Sequence, residues 1–418
     1  MSSRATLVGR RTFAALRFWN FRLYLTSQAI SFSGTWMQML AQSWLVLELT
    51  GSGTALGTVM AMQFLPTLFL APTGGMIADR LDKRHLIIAT QSVAGTLALS
   101  MGVLTLTGVI ELWMVYLFAA GFGAVTAIDN PARQTFVMEM VGPADVANAV
   151  TLNSVVVNAA RAVGPAIGGV LIATVGIGQC FIVNAVSYLA VILALVLVRK
   201  EQLYPAARSR RGPGQVREGF RYAWSSPILR TTLVMLAVIG TLTYEFTTTL
   251  PLLSEYTFDA GASGLATMTA LMGIGAVVGG LVIASSGDPT PARLVTIAAA
   301  FGLTVSAVAF APTIGLVYLM MPLVGAASVS VIALFNATLQ LNSAPELRGR
   351  VMALFSMALV GSTPIGGPIV GFLGEQVSPR FALLIGGIAA LGAAWYGWAN
   401  LESRRTAAAV PEGSLTTA

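Results

Sequence analysis

The chain has 418 residues, of which 56% are hydrophobic and only 10% charged. Soluble domains carry about 25% charged residues, so this sequence cannot coat a water-soluble fold of its length, which excludes a soluble enzyme or an aqueous binding module. One cysteine (Cys180) and one histidine (His85) give no internal disulfide and no His/Cys zinc site, so the reading is an integral membrane protein without metal or cofactor.

In chain order, residues 1–21 are basic and are expected to lie on the cytoplasmic surface through Phe13, Leu16 and Phe18. Arg10-Arg11-Thr12-Phe13 superficially resembles a twin-arginine export signal. No small-residue cleavage site follows, and the next apolar stretch is too long for a signal sequence. A helix crosses the ~30 Å hydrocarbon core in about 20 residues. Twelve stretches qualify: 22–49, 54–78, 85–108, 112–136, 147–173, 177–198, 228–252, 263–286, 292–311, 314–340, 350–374 and 380–401. A β-barrel would alternate polar and apolar residues, whereas 186–198 (VSYLAVILALVLV) is apolar on every side. With both termini in the cytoplasm, 22 of the 24 Lys and Arg fall on the inner side, leaving Arg380 outside and Arg161 within a span. Such an inside excess orients membrane proteins. It predicts an all-α, N-in/C-in protein of twelve transmembrane helices in the inner cell membrane. The net charge of +7 then reports topology and needs no nucleic-acid partner.

Residues 199–227 interrupt the pattern with basic side chains and Pro205, Pro213 and Pro227. They divide a first six-helix half (22–198) from a second (228–401), with a cytoplasmic tail at 402–418. Gly164-Pro165-Ala166-Ile167-Gly168 in span five recurs as Gly367-Pro368-Ile369-Val370-Gly371 in span eleven. Duplicated, pseudo-symmetric halves around a midplane site are how many secondary transporters are built.

Polar residues inside spans mark the candidate sites. In span one, Gln28, Ser31, Thr35, Gln38 and Gln42 recur every three or four residues and share one helix face. In span five, Thr151, Ser154, Asn158 and Arg161 keep the same rhythm. Each stripe either lines a wet cavity or bonds neighbouring helices. Arg161 would bind an anionic group or pair with an acid on another helix. Glu245, in span seven with Thr241 and Thr248 on its face, is the candidate proton-coupling carboxyl; the alternative is a polar cap with Tyr244 and Thr249. Glu48 and Asp129, nearer the span ends, read as structural. Gly273, Gly275 and Gly279 fall inside an apolar span and read as helix-packing positions rather than a dinucleotide fingerprint. No P-loop precedes Lys83 or Lys200, so energy must come from a gradient.

Gly75-Met76-Ile77-Ala78-Asp79-Arg80-Leu81-Asp82-Lys83-Arg84 resembles the loop signature of the major facilitator superfamily, with Asp82 in place of the usual second glycine. Gly164-Pro165 with Gly168-Gly169 resembles the span-five antiporter motif, with Ala160 in place of its leading glycine. With Trp36-Met37-Gln38, Asp129-Asn130-Pro131-Ala132-Arg133 and Pro345-Glu346-Leu347-Arg348-Gly349-Arg350, the set is similar to the enterobactin-exporter and macrolide-efflux branch. The resemblance implies a cytoplasmic gate of Asp79, Arg80, Lys83, Arg84 and Asp129, in which Asp79 faces the N-terminal end of span eleven. It also implies a cavity entered by spans one and five. For Gly164-Pro165 itself, a bend or seal and a static kink are both open.

The function expected is secondary active transport by alternating access: proton-coupled export of small amphipathic molecules such as drugs or siderophore-like compounds. Trp36, Met37, Met39, Trp44, Met268 and Met272 suit apolar ligands. The partners are a small-molecule substrate, protons and the lipid bilayer, and the expected working unit is a monomer. An importer or facilitator of a polar solute is the alternative. A non-transporting receptor or scaffold is the other class, and nothing resembles a catalytic set.

Overall fold

Within hydrocarbon, backbone N–H and C=O groups must be bonded inside the segment itself or by close neighbours. The computed structural model describes residues 13–204, 215–285, 287, 289–359 and 361–402, and among them every regular element is helical. The first set of helices is α1 (Trp19–Thr50), α2 (Gly53–Arg80), α3 (Lys83–Leu106), α4 (Leu112–Val141), α5 (Val146–Val175) and α6 (Ile177–Leu197). A short helix, α7 (Gln215–Ser225), follows in the central loop. The second set is α8 (Pro227–Leu242), α9 (Phe246–Tyr256), α10 (Gly261–Ala284), α11 (Pro291–Ala309), α12 (Ile314–Leu341), α13 (Arg348–Leu359), α14 (Thr363–Gln376) and α15 (Pro379–Gly397).

Each expected span coincides with one helix or with a broken pair. Among the described residues, eleven helical segments are long and apolar enough to cross a membrane. The segment that falls short is α1, whose glutamines lower its hydropathy although it is 32 residues long. Those glutamines are buried, so lipid never meets them. Spans seven and eleven are not single helices. Span seven breaks between α8 and α9 at Thr243–Glu245, and span eleven breaks between α13 and α14. Ser362 occupies the N-cap position of α14, with proline in its first turn, a start signal legible in Gly361-Ser362-Thr363-Pro364. The span-seven break has no Gly or Pro at all.

Short caps set the turns. The Asp82 side chain accepts the His85 backbone N–H at 2.9 Å at the start of α3, which gives a role to the residue that departs from the signature. Partial burial opposes ionisation of Asp82, but the His85 N–H and the nearby His85 ring outweigh it and hold the carboxyl below its usual value.

The two sets meet along two seams. In one, α2 packs on α14 so closely that a methyl group on Gly53 would sit 2.6 Å from the Gly371 carbonyl. In the other, α5 packs on α10, and a methyl on Gly273 would sit 2.6 Å from Ala162. Gly275 and Gly279 press against Pro322 and Ala326 of α12, so all three glycines of that stretch are packing positions.

Candidate functional site

At the end opposite the basic loops, hydrogen bonds tie the sets together. Glu375 accepts from the Ser52 hydroxyl at 2.7 Å and from the Thr54 N–H at 2.9 Å. Tyr256 donates to the Gly51 carbonyl at 2.8 Å, and Ser43 to the Thr247 carbonyl at 3.4 Å. Among the described residues, every hydrogen bond between α1–α6 and α8–α15 belongs to this group. At the basic end, ion pairs stay on their own side of the molecule: Arg17–Asp145 at 2.5 Å, Lys83–Glu139 at 2.7 Å and Arg350–Glu218 at 2.6 Å. Among the described residues, polar contacts therefore join the two sets at one end and not at the other.

A cavity of about 50 Å³ lies between the two sets. It is lined by α1 (Trp36, Met39, Ser43), α5 (Arg161, Pro165), α9 (Phe246, Leu250) and α10 (Leu265, Thr269, Met272), among others. Arg161 is its one ionisable lining residue, and its guanidinium carbon stands 4.6 Å from the centre of the Trp36 ring. Among the described residues Arg161 forms no ion pair and no hydrogen bond, so pairing with an acid does not account for it. Insertion scales put such a charge at about 2.5–3.5 kcal/mol, and stacking on an aromatic face returns roughly 0.5–2 kcal/mol of that.

The polar stripe of α1 turns elsewhere. Gln28 is fully buried and accepts from Arg133 Nη1, while Arg133 Nε donates to Asp129. Asp129 also accepts from Thr90 at 2.6 Å and Gln91 at 3.2 Å. Thr35 meets Tyr188, and Gln38 accepts from Asn184 at 2.6 Å. Gln42 donates to Gln63 at 3.3 Å, and Ser31 is buried. The stripe thus bonds α1 to α2, α4 and α6, and the neighbouring face, with Trp36, Met39 and Ser43, lines the cavity. Hydrogen-bonding groups have stronger partners on their own side of the molecule than an apolar cavity offers. On α5 only Arg161 of the polar rhythm reaches the cavity; Asn158 donates to the Ser154 carbonyl at 2.8 Å on its own helix.

Of the gate residues implied by resemblance, Lys83, Arg84 and Asp129 each have partners among the described residues. Lys83 pairs with Glu139, not Asp129, and Arg84 donates to the Leu195 and Val196 carbonyls of α6 at 2.5 and 3.0 Å. Arg80 is exposed at the end of α2. The Asp79 side chain lies outside the described residues. The span-five motif forms a double contact. Gly164 and Gly168 lie against α1 at Trp36, Met37 and Leu40, while Gly169 lies against Ala266 of α10. The helix runs unbroken through Pro165.

Glu245 occupies the break in span seven. Its carbonyl accepts the N–H groups of Thr248 and Thr249 at 3.0 and 2.9 Å, starting α9. Its side chain is 1% exposed, and neither carboxylate oxygen accepts a hydrogen bond of normal geometry. The Thr363 side chain, at the start of α14, approaches it. The carboxylate lies over Gly366 and Gly367, 2.9 and 3.5 Å from where their methyl groups would be. Gly367 in turn abuts Gly57 and Met60 of α2, so Glu245 sits at the seam between the two sets. The neighbouring Thr248 hydroxyl is buried without a partner, and Thr241 donates to the Ala237 carbonyl at 2.7 Å. Tyr244, beside Glu245 in the same break, donates to the Ser328 carbonyl.

Residues 10–411 match the family model described as transmembrane secretion effector. The chain is similar to the staphyloferrin A transporter of Staphylococcus aureus, 27% identical over 265 residues that cover 63% of this chain and 66% of that protein. It is 26% identical to the multidrug efflux pump Tap of Mycolicibacterium fortuitum over 82% of this chain and 86% of that one. It is 24% identical to the enterobactin exporter EntS of Shigella flexneri over 75% and 77% respectively. Among solved structures, an inward-facing, occupied bacterial homologue of the human lysosomal transporter Spinster superposes with a TM-score of 0.70 at 14% identity, covering 92% of this chain and 96% of that one. With a helical architecture that has eleven segments able to cross a membrane among the described residues and a model match over nearly its whole length, the chain belongs to the transmembrane secretion effector family of major facilitator-type membrane transporters.

Proposed function

We propose that this protein is a secondary transporter that exports small amphipathic molecules by alternating access, driven by protons entering through Glu245. The observation that carries the reading is the cavity between the two sets of helices, lined by two helices from each and bounded by seams that are joined at one end only. Rocking one set against the other would expose such a site to each side in turn. The two seams, α2 with α14 and α5 with α10, each carry one of the repeated Gly-Pro segments on one of their helices, which supports two related halves. The charge distribution supports termini in the cytoplasm, which makes the open end the cytoplasmic one.

In this reading Glu245 carries the proton. Its carboxyl faces the first turn of α14, where a helix N-terminus favours the anion, while burial favours the neutral acid. Protonation therefore changes the charge held at the seam whose opening exposes the cavity to the far side. Phe246 and Thr247, next to Glu245 in the chain, line the cavity, so seam and cavity share one segment. The names of the relatives, a siderophore transporter and exporter and a drug pump, support export of amphipathic substrates.

The test uses everted membrane vesicles in which respiration builds an acidic interior, monitored by acridine orange quenching. A panel of iron-free siderophores and amphipathic drugs should include compounds that relieve the quenching, and vesicles without the protein should not respond. A compound that only equilibrates across the vesicle membrane through the protein, with no proton release, would remove proton coupling and leave a facilitator.

A further inference from the structure

We propose that Arg161 and the Trp36 ring form a docking point for a single anionic group, carboxylate-like in chemistry, on an amphipathic substrate. The inference deepens the export reading and rests on it. The cavity holds one cation and no anion among its lining residues, so a cationic ligand would meet repulsion with no counter-charge. Hydroxyls do not substitute for the guanidinium. Thr269 donates to the Leu265 carbonyl at 2.8 Å and Ser43 to the Met39 carbonyl at 3.0 Å. Arg161 alone on this wall has a set of N–H donors without partners, and its planar fork matches a carboxylate.

Two carboxyls close in sequence to the lining residues are held elsewhere. Glu245 faces α14 and α2, and Glu48 accepts from the Trp44 indole at 3.0 Å. The guanidinium is held against the Trp36 ring, 4.6 Å from its centre, on the cavity wall. The enclosed volume of about 50 Å³ suits a carboxylate-sized group, since one water occupies about 30 Å³ of liquid. Met39, Phe246, Leu250, Leu265 and Met272 supply the apolar surface for the rest of the ligand, and the two methionines can repack around different shapes.

The experiment measures binding to the purified full-length protein in detergent by energy transfer from tryptophan to a dansyl group. Three probes share one body: N-dansylglycine (anionic), its amide (neutral) and a dansyl ethylenediamine (cationic). The acid should bind saturably and at least about tenfold more tightly than the amide, the size of one charge-assisted contact, with the cation weakest. Arg161→Gln should remove that acid–amide difference, Arg161→Lys should restore part of it, and Trp36→Phe should reduce the transfer signal. Cys180 protection on heating would show that each variant is folded. Equal binding of acid and amide by the parent, an unchanged acid affinity in Arg161→Gln, or no saturable binding of the acid would each overturn the assignment. Proton-linked export of uncharged compounds with no acid preference would overturn this inference and leave the export reading standing.

Discussion

Glu245 and Arg161 are legible in the sequence as charges inside spans, but their surroundings are not. The sequence shows Glu245 beside hydroxyls on one helix face; the fold puts it at a break, against α14 and the α2 seam. Glu245→Gln keeps the shape and cannot ionise. Uphill, proton-driven export should fall to background while downhill counterflow in proteoliposomes persists, and a variant that still pumps uphill would make Glu245 structural. The Asp129–Arg133–Gln28 cluster is a different case, because each partner is buried and hydrogen bonded. Removing one partner of a buried pair typically costs about 3–5 kcal/mol. Asp129→Ala should therefore lower the unfolding temperature, read as the temperature at which the buried Cys180 begins to react with a maleimide dye. The Asp129→Ala/Arg133→Ala double variant should lose less than the sum of the two single ones.

Among the elements, the informative features are small residues and breaks. Gly57 of α2 faces the Gly367–Pro368 backbone of α14 with no room for a methyl group. Gly57→Val should hold that seam apart. A Ser43→Cys side chain, in the cavity wall, should then react several-fold faster with an impermeant thiol reagent added from the opposite side, and transport should fall with expression unchanged. Unaltered labelling would mean that the seam closes by another route. The span-eleven break was legible from its Ser-Thr-Pro start, but the span-seven break was not, since Thr243-Tyr244-Glu245 contains no helix breaker. That break is made by tertiary contacts, among them Thr243 donating to the Gly386 carbonyl at 2.7 Å and Tyr244 to the Ser328 carbonyl.

For the whole molecule, the basic loops, with 22 of 24 Lys and Arg assigned to one side, lead to a topology that can be checked directly. Reporter tags at the C-terminus and in 205–214 should be cytoplasmic, and one at 257–260, between α9 and α10, should be extracytoplasmic. A central-loop tag outside the cytoplasm would overturn the orientation. The structure adds an anchor: α7 of the central loop holds α13 through Glu218–Arg350 at 2.6 Å, and the Ala344 N–H donates to the Tyr222 hydroxyl at 2.9 Å. α7 is therefore tied to the second set of helices, half of the broken span eleven included.

The sequence by itself determined the membrane class, the helical spans and the family, because lipid imposes length and apolarity locally and each span must meet those demands alone. It also exposed the charged residues that lipid cannot tolerate without a reason. Only the tertiary structure decided which polar residues face the cavity and which bond to other helices. The stripe from Gln28 to Gln42 was readable as one face, but whether that face meets water or another helix depends on what the distant α2, α4 and α6 offer it. They offer Gln63, Arg133 and Asn184. The cavity was left to the neighbouring face with Trp36 and to Arg161, which meets no acid among the described residues.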